Sequence, residues 1–268
     1  MLILLPPSEG KTAPVTGEPA DPADLWLPQL APARRRVLSK LVALSRRASA
    51  RGVADSLAVL GLSAAQHGEV ARNAGLATAP AAHAAHVYTG VLYEALDPAG
   101  LAPRARAWVD ERAVVFSGLW GVLRLTDRIP AYRCSVGVTL PVLGGLTPYW
   151  RKALSPALDR AAADGPVLDL RSGAYAAMWA APGAAAARTV TMRVLHERMV
   201  DGEPRRSVVS HFNKATKGRL VRALAEAGAE PTSVDDLLVT LRDLKYAVEE
   251  RPVTAGRPRQ VDVIVREL

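Results

Sequence analysis

The sequence is poor in the residues that build disulfide frameworks, metal centres and membrane spans. Its single cysteine, Cys134, excludes an internal disulfide and a zinc site made of thiolates. Five histidines are scattered along the chain, and the nearest pair, His83 and His86, has no carboxylate close by in sequence. We therefore expect no metal site and no bound cofactor. No stretch approaches the ~18 consecutive apolar residues that a membrane span needs.

The composition predicts a folded protein with an anionic partner. The chain has 268 residues, of which 49% are hydrophobic, and this is enough apolar side chain for a packed core. The apolar run at residues 1–5 is too short for a signal peptide and no basic residue precedes it, so we expect a cytoplasmic protein without a membrane partner. The net charge of +8 favours partners that carry negative charge.

The order of the elements predicts a mixed α/β fold. The apolar segment at residues 2–5 followed by two prolines is typical of a buried first strand. Asp201-Gly202 predicts the turn of a β-hairpin. Amphipathic helices are predicted at residues 33–50, 146–163 and 214–227, and further strands at 167–170, 188–199, 205–210, 244–249 and 260–265. Residues 13–32 and 180–187 are predicted to be connections. No linker or repeat divides the chain, which predicts a single domain over residues 1–268 with a mixed sheet surrounded by helices.

The first segment that could carry chemistry follows the predicted first strand. Gly10-Lys11-Thr12 resembles the end of a phosphate-binding P-loop, but Leu5 stands where that motif needs its first glycine. No long helix is predicted to follow, so a nucleotide-hydrolase site is excluded. A polar turn containing Ser8, Lys11 and Thr12 can still hold an anion through backbone N–H groups. An ordinary solvated turn is the alternative.

A second pair of segments, residues 87–90 and 116–133, combines glycines, aromatic residues and charges. Gly118 and Gly121 inside an apolar run imply close backbone approach or a positive φ. Charges interleaved with aromatics are typical of the lining of a cleft, and the alternative is a structural Arg–Asp pair that supports a turn. The polar residues of interest here are Tyr88, Thr89, Arg124, Asp127 and Arg133.

A third segment, residues 210–219, is predicted to leave a strand and enter a helix. The free N–H groups and the dipole at such a helix start favour an anion. Lys214 and Lys217 are three residues apart and are predicted to share one helical face, with His211 and Asn213 at the entrance. Asn213 also fits the role of an N-cap, and the two interpretations are compatible.

A fourth segment, residues 57–65, predicts a tight turn between two helices. It resembles half of a helix-hairpin-helix, in which backbone amides of the turn contact duplex phosphates without reading the base sequence. Gly61 would hold the turn, and Ser63 stands where a second glycine is usual. Any short connection between helices would look similar.

Taken together, these segments resemble the YaaA family of peroxide stress proteins, in the order of that family and over nearly the whole chain. The matching positions are Met1-Leu2-Ile3-Leu4 with Ser8, Lys11 and Thr12, then Val87-Tyr88-Thr89-Gly90, then Ser117-Gly118-Leu119 and Gly121-Val122-Leu123-Arg124 with Asp127, Tyr132 and Arg133, and finally Asn213-Lys214-Ala215 with Lys217-Gly218. The resemblance implies a YaaA-type single-domain α/β fold with a positively charged cleft and a helix-hairpin-helix element. It also implies a cytosolic DNA-binding protein that protects cells and their DNA from hydrogen peroxide damage linked to intracellular iron.

The same resemblance assigns positions in that cleft. It implies one wall made of Ser8, Lys11 and Thr12, a floor of Tyr88, Thr89, Arg124, Asp127 and Arg133, an opposite wall of Lys214 and Lys217, and a hairpin turn at Gly61. Three departures stand out. Glu9-Gly10 enlarges the first turn, Ser63 weakens the hairpin motif, and Trp120 occupies a position where a tyrosine is expected, which removes a hydroxyl.

Three functional hypotheses stay open on the sequence. The first is a nucleic-acid-binding protein that grips the phosphates of duplex or distorted DNA, supported by the basic helix with Arg34, Arg35, Arg36, Lys40, Arg46 and Arg47 and by Lys214 and Lys217. The second is an enzyme acting on a phosphorylated or carboxylated small molecule or a nucleotide. In it Lys11, Lys214 and Lys217 would clamp the anion, Arg124 and Arg133 would orient it, and the candidate catalytic residues would be Lys11, Asp127 and His211. The third is a structural or interaction protein whose positive charge serves only solubility. The residues do not decide between binding and turnover, nor do they determine an oligomeric state.

Overall fold

The computed structural model describes residues 1–200 and 203–266, without the side chains of Ser210 and His211. The predicted Asp201-Gly202 turn lies outside the described residues. Twelve strands are present in this part of the chain: β1 (Leu2–Leu5), β2 (Ala82–His83), β3 (Ala113–Ser117), β4 (Gly121–Arg124), β5 (Arg128–Ile129), β6 (Thr139–Leu140), β7 (Gly144–Gly145), β8 (Val167–Asp169), β9 (Thr189–Val200), β10 (Glu203–Ser207), β11 (Ala247–Glu250) and β12 (Arg259–Val265).

Helices surround these strands. They are α1 (Ala31–Ser45), α2 (Ala50–Leu60), α3 (His67–Ala74), α4 (Ala84–Val87), α5 (Val91–Leu96), α6 (Pro103–Arg112), α7 (Leu146–Ala161), α8 (Gly173–Ala176), α9 (Gly183–Ala187), α10 (Ser210–Glu226) and α11 (Val234–Asp243). Short 3₁₀ turns lie at Pro28–Leu30, Ala64–Gln66 and Pro98–Gly100. Among the described residues, the helices are too short or too polar to cross a bilayer.

One eight-stranded sheet organises the chain, with the order β11-β12-β9-β8-β1-β3-β4 and β10 paired to β9. The five inner strands from β12 to β3 run parallel, whereas β11 and β4 are antiparallel at the two ends of the order. All four side chains of β1 are buried, as expected of a parallel strand covered on both faces. The predicted mixed α/β class is therefore confirmed.

The predicted start of α10, the N-cap role of Asn213 and the connection at residues 180–187 were wrong. Helix α10 begins at Ser210, one turn earlier than the periodicity indicated, so Asn213 lies inside the first turn and its N–H donates to Val209, the N-cap residue, at 2.9 Å. Residues 180–187 are not a plain connection, because the short helix α9 starts directly after Pro182. Proline suits a helix start because its missing N–H has no partner there.

The turn between α2 and α3 shows why Ser63 stands where a second glycine was expected. Gly61 ends α2 with a φ of 64°, and the N–H of Leu62 donates to the carbonyl of Leu57 at 2.9 Å, as in a Schellman motif. Ser63 then forms a capping box with Gln66 and starts the next helical segment. Two helices joined by a tight turn are thus present, while phosphate binding by this turn, and with it a helix-hairpin-helix, stays a prediction.

Candidate functional site

The candidate site lies where the parallel strands β1, β3 and β8 end. Because these strands run in the same direction, the residues that follow them meet at one edge of the sheet, the usual place for ligands in open α/β sheets. We call the residues gathered there the carboxyl-edge cluster: Ser8, Lys11, Tyr88, Ser117, Tyr132 and Arg133.

Loop 6–12 is tied directly to the segment at residues 87–90. The N–H of Thr12 donates to the carbonyl of Val87 at 2.9 Å, and the N–H of Thr89 donates to Gly10 at 3.2 Å. Gly10 permits this approach, since a Cβ there would lie 2.9 Å from Oγ1 of Thr89. The structure therefore brings the predicted Ser8, Lys11 and Thr12 next to Tyr88 and Thr89. Gly10, one of the two residues that enlarge the first turn, therefore takes part in this junction.

The ammonium group of Lys11 lies over two tyrosine rings. Its Nζ is 4.4 Å from the ring centre of Tyr132 and 5.5 Å from that of Tyr88, and it donates to the carbonyl of Ser8 at 2.8 Å. Within the described residues it forms no ion pair with a carboxylate. Burial and, after it, the nearby charge of Arg133 lower the pKa of Lys11 to about 8. An amine in this state loses its proton near pH 8, well below the range of an ordinary lysine.

Beneath Lys11, three hydroxyl groups form a buried chain. The hydroxyls of Tyr88 and Tyr132 are 2.8 Å apart, and that of Tyr132 lies 2.6 Å from Oγ of Ser117. Ser117 in turn accepts the backbone N–H of Trp120 at 2.9 Å. Burial raises the pKa of both tyrosines well above the ordinary value, so their hydroxyls stay protonated and available as hydrogen-bond donors. Trp120 itself is fully buried and packs edge-on against the Tyr132 ring.

Arg133 closes the cluster on the other side of loop 6–12. Its guanidinium pairs with Glu9 at 2.7 Å, so part of the enlarged turn neutralises a predicted anion-binding arginine. The Glu9 side chain is 82% exposed, and such pairs contribute little stability. The backbone of Arg133 is fixed by Asn73, which accepts its N–H at 2.9 Å and donates to its carbonyl at 2.7 Å. Asn73 is fully buried and no motif pointed to it.

Arg124 and Asp127 occupy the opposite end of β4. Arg124 pairs in register with Val114 near the start of β3, and its guanidinium lies 4.4 Å over the Trp26 ring. The Asp127 carboxylate accepts backbone N–H groups from Trp26 at 3.1 Å and from Arg124 at 2.9 Å. Burial raises the pKa of Asp127. The structure therefore does not bring these two residues to the carboxyl-edge cluster, and both support the chain around Trp26.

The two predicted lysines of α10 do not share a solvent face. Lys214 is exposed, whereas Lys217 is 8% exposed and donates from Nζ to the carbonyl of Leu170 at 2.9 Å. Burial lowers the pKa of Lys217, and the nearby Asp169 partly offsets this. Oδ1 of Asn213 is buried without a hydrogen-bond partner among the described residues. The side chain of His211 lies outside the described residues.

A buried ion pair beside Lys217 was missed by sequence reasoning. Arg171 donates to both carboxylate oxygens of Asp169, at 2.9 and 2.6 Å, directly after β8. Its guanidinium also lies 4.2 Å over the ring of Phe116. The sequence feature that could have revealed it is Asp169-Leu170-Arg171 at the end of a short apolar strand. Opposite charges two residues apart can form an ion pair where such a strand ends.

Two open grooves flank α1. One, of about 750 Å³, lies between α1, residues 19–22 and Ala77, and the other, of about 430 Å³, is lined by Arg35, Arg36, Ser39, Lys40, Val142 and Leu143. Arg34 was expected on the same basic face, but it is fully buried and donates to six backbone carbonyls, including those of Trp120 and Val122. A guanidinium has five N–H donors, so the two N–H groups of Nη1 are shared among the carbonyls of Pro22, Leu25 and Leu27.

Metal ligation finds no support in the described part of the chain, which holds no group of three or more His, Cys, Asp or Glu residues placed to bind an ion. Cys134 is buried, and burial raises the pKa of its thiol to about 12. Its sulfur is thus a protonated thiol, a poor nucleophile and ligand.

Comparisons with known proteins identify relatives along the whole chain. The family described as peroxide stress protein YaaA matches residues 1–251. A UPF0246 protein of Streptomyces coelicolor is 52% identical over 269 residues and covers 100% of both chains. A UPF0246 protein of Corynebacterium efficiens is 39% identical, covering 99% of this chain and 100% of its own. An uncharacterized protein of Campylobacter jejuni is 26% identical over 84% of this chain and 85% of its own.

Proposed function

The chain belongs to the peroxide stress protein YaaA family, and on this premise we propose that it acts in the cytoplasm by binding DNA through its phosphates. The observation that supports binding most directly is the basic face of α1. Arg35, Arg36 and Arg46 are exposed there, and Lys40 is half-buried beside a groove. The net charge of +8 supports the same partner.

The geometry of this face suits a phosphate backbone. Arg36 and Lys40 are four residues apart on one helix and therefore adjacent on its surface. Both line the groove between α1 and residues 142–143, so a DNA strand lying in that groove would contact two positively charged side chains. Arg35 and Arg46 are partly engaged by the protein itself, because Arg35 pairs with Asp21 at 3.3 Å and Arg46 donates to the carbonyl of Ala74 at 3.2 Å. Contacts of this kind position DNA without reading its sequence.

A salt titration against labelled duplex and branched DNA tests the proposal. We expect log K to fall linearly with log salt, with a slope of about −0.9 per neutralised phosphate for duplex DNA. Arg36→Ala/Lys40→Ala should weaken binding and make the slope shallower by about two such contacts. Arg104→Ala/Arg160→Ala is the matched control, since it removes two positive charges from exposed helical positions elsewhere. Equal losses in both variants, or binding insensitive to salt, would contradict the proposal.

A second candidate is an enzyme that acts on a phosphorylated small molecule at the carboxyl-edge cluster. The observation that favours it is the position of Lys11, whose amine lies over two tyrosine rings and next to a chain of buried hydroxyl groups. Nonspecific phosphate binding needs none of these hydroxyls. A thermal-shift screen with phosphorylated metabolites tests it, because a ligand that binds the folded state raises the melting temperature. A shift that persists in Lys11→Met, which removes the positive charge, would place the ligand elsewhere.

A further inference from the structure

Lys11 differs from the other lysines of the chain in its surroundings. The chain has six lysines, and four of them, Lys40, Lys152, Lys214 and Lys245, are exposed or half-buried on the surface. Lys217 is buried and its ammonium is engaged by the carbonyl of Leu170. Lys11 is half-buried, and its Nζ is held by the carbonyl of Ser8 and the two ring faces. It is thus the lysine that is both oriented by its contacts and partly exposed to solvent.

The chemical consequence concerns the free amine. A lysine attacks a carbonyl carbon only after it has lost its proton, because the lone pair on Nζ forms the new bond. With a pKa of about 8, half of the Lys11 population is unprotonated at that pH. An ordinary exposed lysine is unprotonated at well under about 1% under the same conditions.

We propose that Lys11 is a nucleophile that forms an imine with the aldehyde group of a sugar phosphate. In this step the Nζ lone pair attacks the aldehyde carbon and an N–C bond forms. The nitrogen loses two protons, the carbonyl oxygen leaves as water, and a C=N double bond remains. No oxidant or reductant is consumed. The inference rests on the proposed function of the same cluster, for which it names a substrate class.

The surroundings of Lys11 fit the other parts of such a molecule. Arg133 is close enough to depress the Lys11 pKa, and its present partner Glu9 is largely exposed, so a phosphate can replace that carboxylate. Ser8 and Thr89 are half-buried polar residues in the segments that flank Lys11. The hydroxyl of Ser8 donates to the carbonyl of Gly10 and can still accept a hydrogen bond from a sugar hydroxyl. The sugar phosphate could come from an abasic nucleotide in DNA or from a free metabolite, since both present an aldehyde near a phosphate.

Reductive trapping tests the inference on the full-length protein. Sodium cyanoborohydride converts an imine to a stable secondary amine, so an adduct marks the lysine that formed it. The two probes are a labelled duplex containing one abasic site and free ribose 5-phosphate, each at pH 8, with the modified lysine identified by peptide mass spectrometry. We expect Lys11 to be modified at least roughly tenfold faster than Lys152, Lys214 or Lys245.

Two variants complete the design. Lys11→Arg should lose the adduct, whereas Lys152→Arg, which removes an exposed lysine, should keep it. Circular dichroism shows whether Lys11→Arg is folded. Peptide mapping of the wild-type protein needs no variant and decides the question even if Lys11→Arg does not fold.

Each outcome has a distinct meaning. An adduct at Lys11 with only the abasic duplex, or only ribose 5-phosphate, supports the inference and identifies the source of the aldehyde. No adduct at Lys11 with either probe, or equal modification of all exposed lysines, overturns it. Salt-sensitive DNA binding without a Lys11 adduct would overturn this inference alone. A Lys11 adduct with ribose 5-phosphate in a protein that does not bind DNA would overturn the proposed DNA binding alone.

Discussion

Gly218 of α10 faces the carbonyl oxygen of Leu92 in α5, so closely that a Cβ at position 218 would lie 2.2 Å from that oxygen. The same atom would lie 2.9 Å from Cβ of Ala95. This contact lets two helices that are distant in sequence pack tightly, and α5 begins directly after Thr89 and Gly90. Gly218 thereby sets the distance between the segment at residues 87–90 and Lys217.

Gly218→Ala should destabilise the fold. The added methyl group meets backbone atoms that cannot rotate away, and overpacking of this kind costs about 1–3 kcal/mol or more. The measurement is the free energy of unfolding in urea. Gly68→Ala is the control, because Gly68 lies in α3 with open space around it. There alanine should be neutral or stabilising by up to about 1 kcal/mol. Equal stabilities for the two variants would contradict the close packing.

Asp127→Ala should lower stability and leave DNA affinity unchanged. The Asp127 carboxylate holds the backbone N–H groups of Trp26 and Arg124, and leaving such groups without partners costs roughly 1–3 kcal/mol. Asp24→Ala removes the same charge from an exposed position and should change stability little. Urea unfolding and the DNA titration measure the two effects. A stable Asp127→Ala protein that has lost an activity would instead support a catalytic role for this carboxylate.

Lys214→Ala and Lys217→Ala should differ in their effects on stability and on DNA binding. Lys217 is buried and satisfies the Leu170 carbonyl, so its loss should destabilise the fold by about 1–3 kcal/mol. Lys214 is exposed, and its loss should leave stability within about 0.5 kcal/mol while weakening DNA binding if α10 contacts phosphates. Thermal unfolding and the salt titration separate the two. The placement of Lys217 would be wrong if its variant kept full stability.

Stability should depend on pH through Lys11 with a definite sign. The ordinary lysine pKa of 10.5 applies to the unfolded chain, whereas burial and Arg133 lower the folded value to about 8. Between these values the unfolded chain binds the extra proton, so the free energy of unfolding rises with pH. The destabilising effect of burying the charge is therefore fully present below pH 8 and is relieved towards pH 10.5.

This effect is isolated by subtracting the free energy of unfolding of Lys11→Met from that of the wild-type protein at each pH. Subtraction removes most of the contributions of other groups whose pKa is changed by burial, including Cys134, Tyr88 and Tyr132. We expect the difference in unfolding free energy to shift in favour of wild type as pH rises from 8 to 10.5. A flat difference would mean that Lys11 has an ordinary pKa in the folded state.

Much of the fold was predictable because its signals are local. Apolar residues 2–5 ended by prolines predicted β1, and the periodicity of residues 146–163 predicted α7 to within two residues. Gly118 and Gly121 were predicted to have close backbone approach or a special backbone angle, and Gly121 has a φ of 76° with the Trp150 ring directly against it. The pairing of Ser63 with Gln66 was not anticipated, because a helix cap depends on where the chain turns.

The candidate site was predicted only in part. The junction of loop 6–12 with residues 87–90 joins segments that sequence analysis had singled out. Arg34, Lys217 and Asp127 were counted as possible ligand contacts, yet each uses its polar atoms on backbone groups of this chain. Charge in a sequence does not distinguish a group that faces solvent from one that bonds a buried carbonyl. Asn73 and the Asp169–Arg171 pair went unnoticed because their roles depend on burial and on contacts that no local sequence pattern reveals.

The sequence by itself determined the α/β class, because the signals for strands and helices lie in residues near one another along the chain. It also determined the family and the excess of positive charge, which do not depend on how the chain folds. Only the tertiary structure decided which charges are exposed and what each one contacts. Those outcomes depend on parallel strands and on the packing of α5 against α10, which bring distant residues together. Burial then changes the chemistry of a side chain, and with Arg133 it lowers the pKa of Lys11 to about 8.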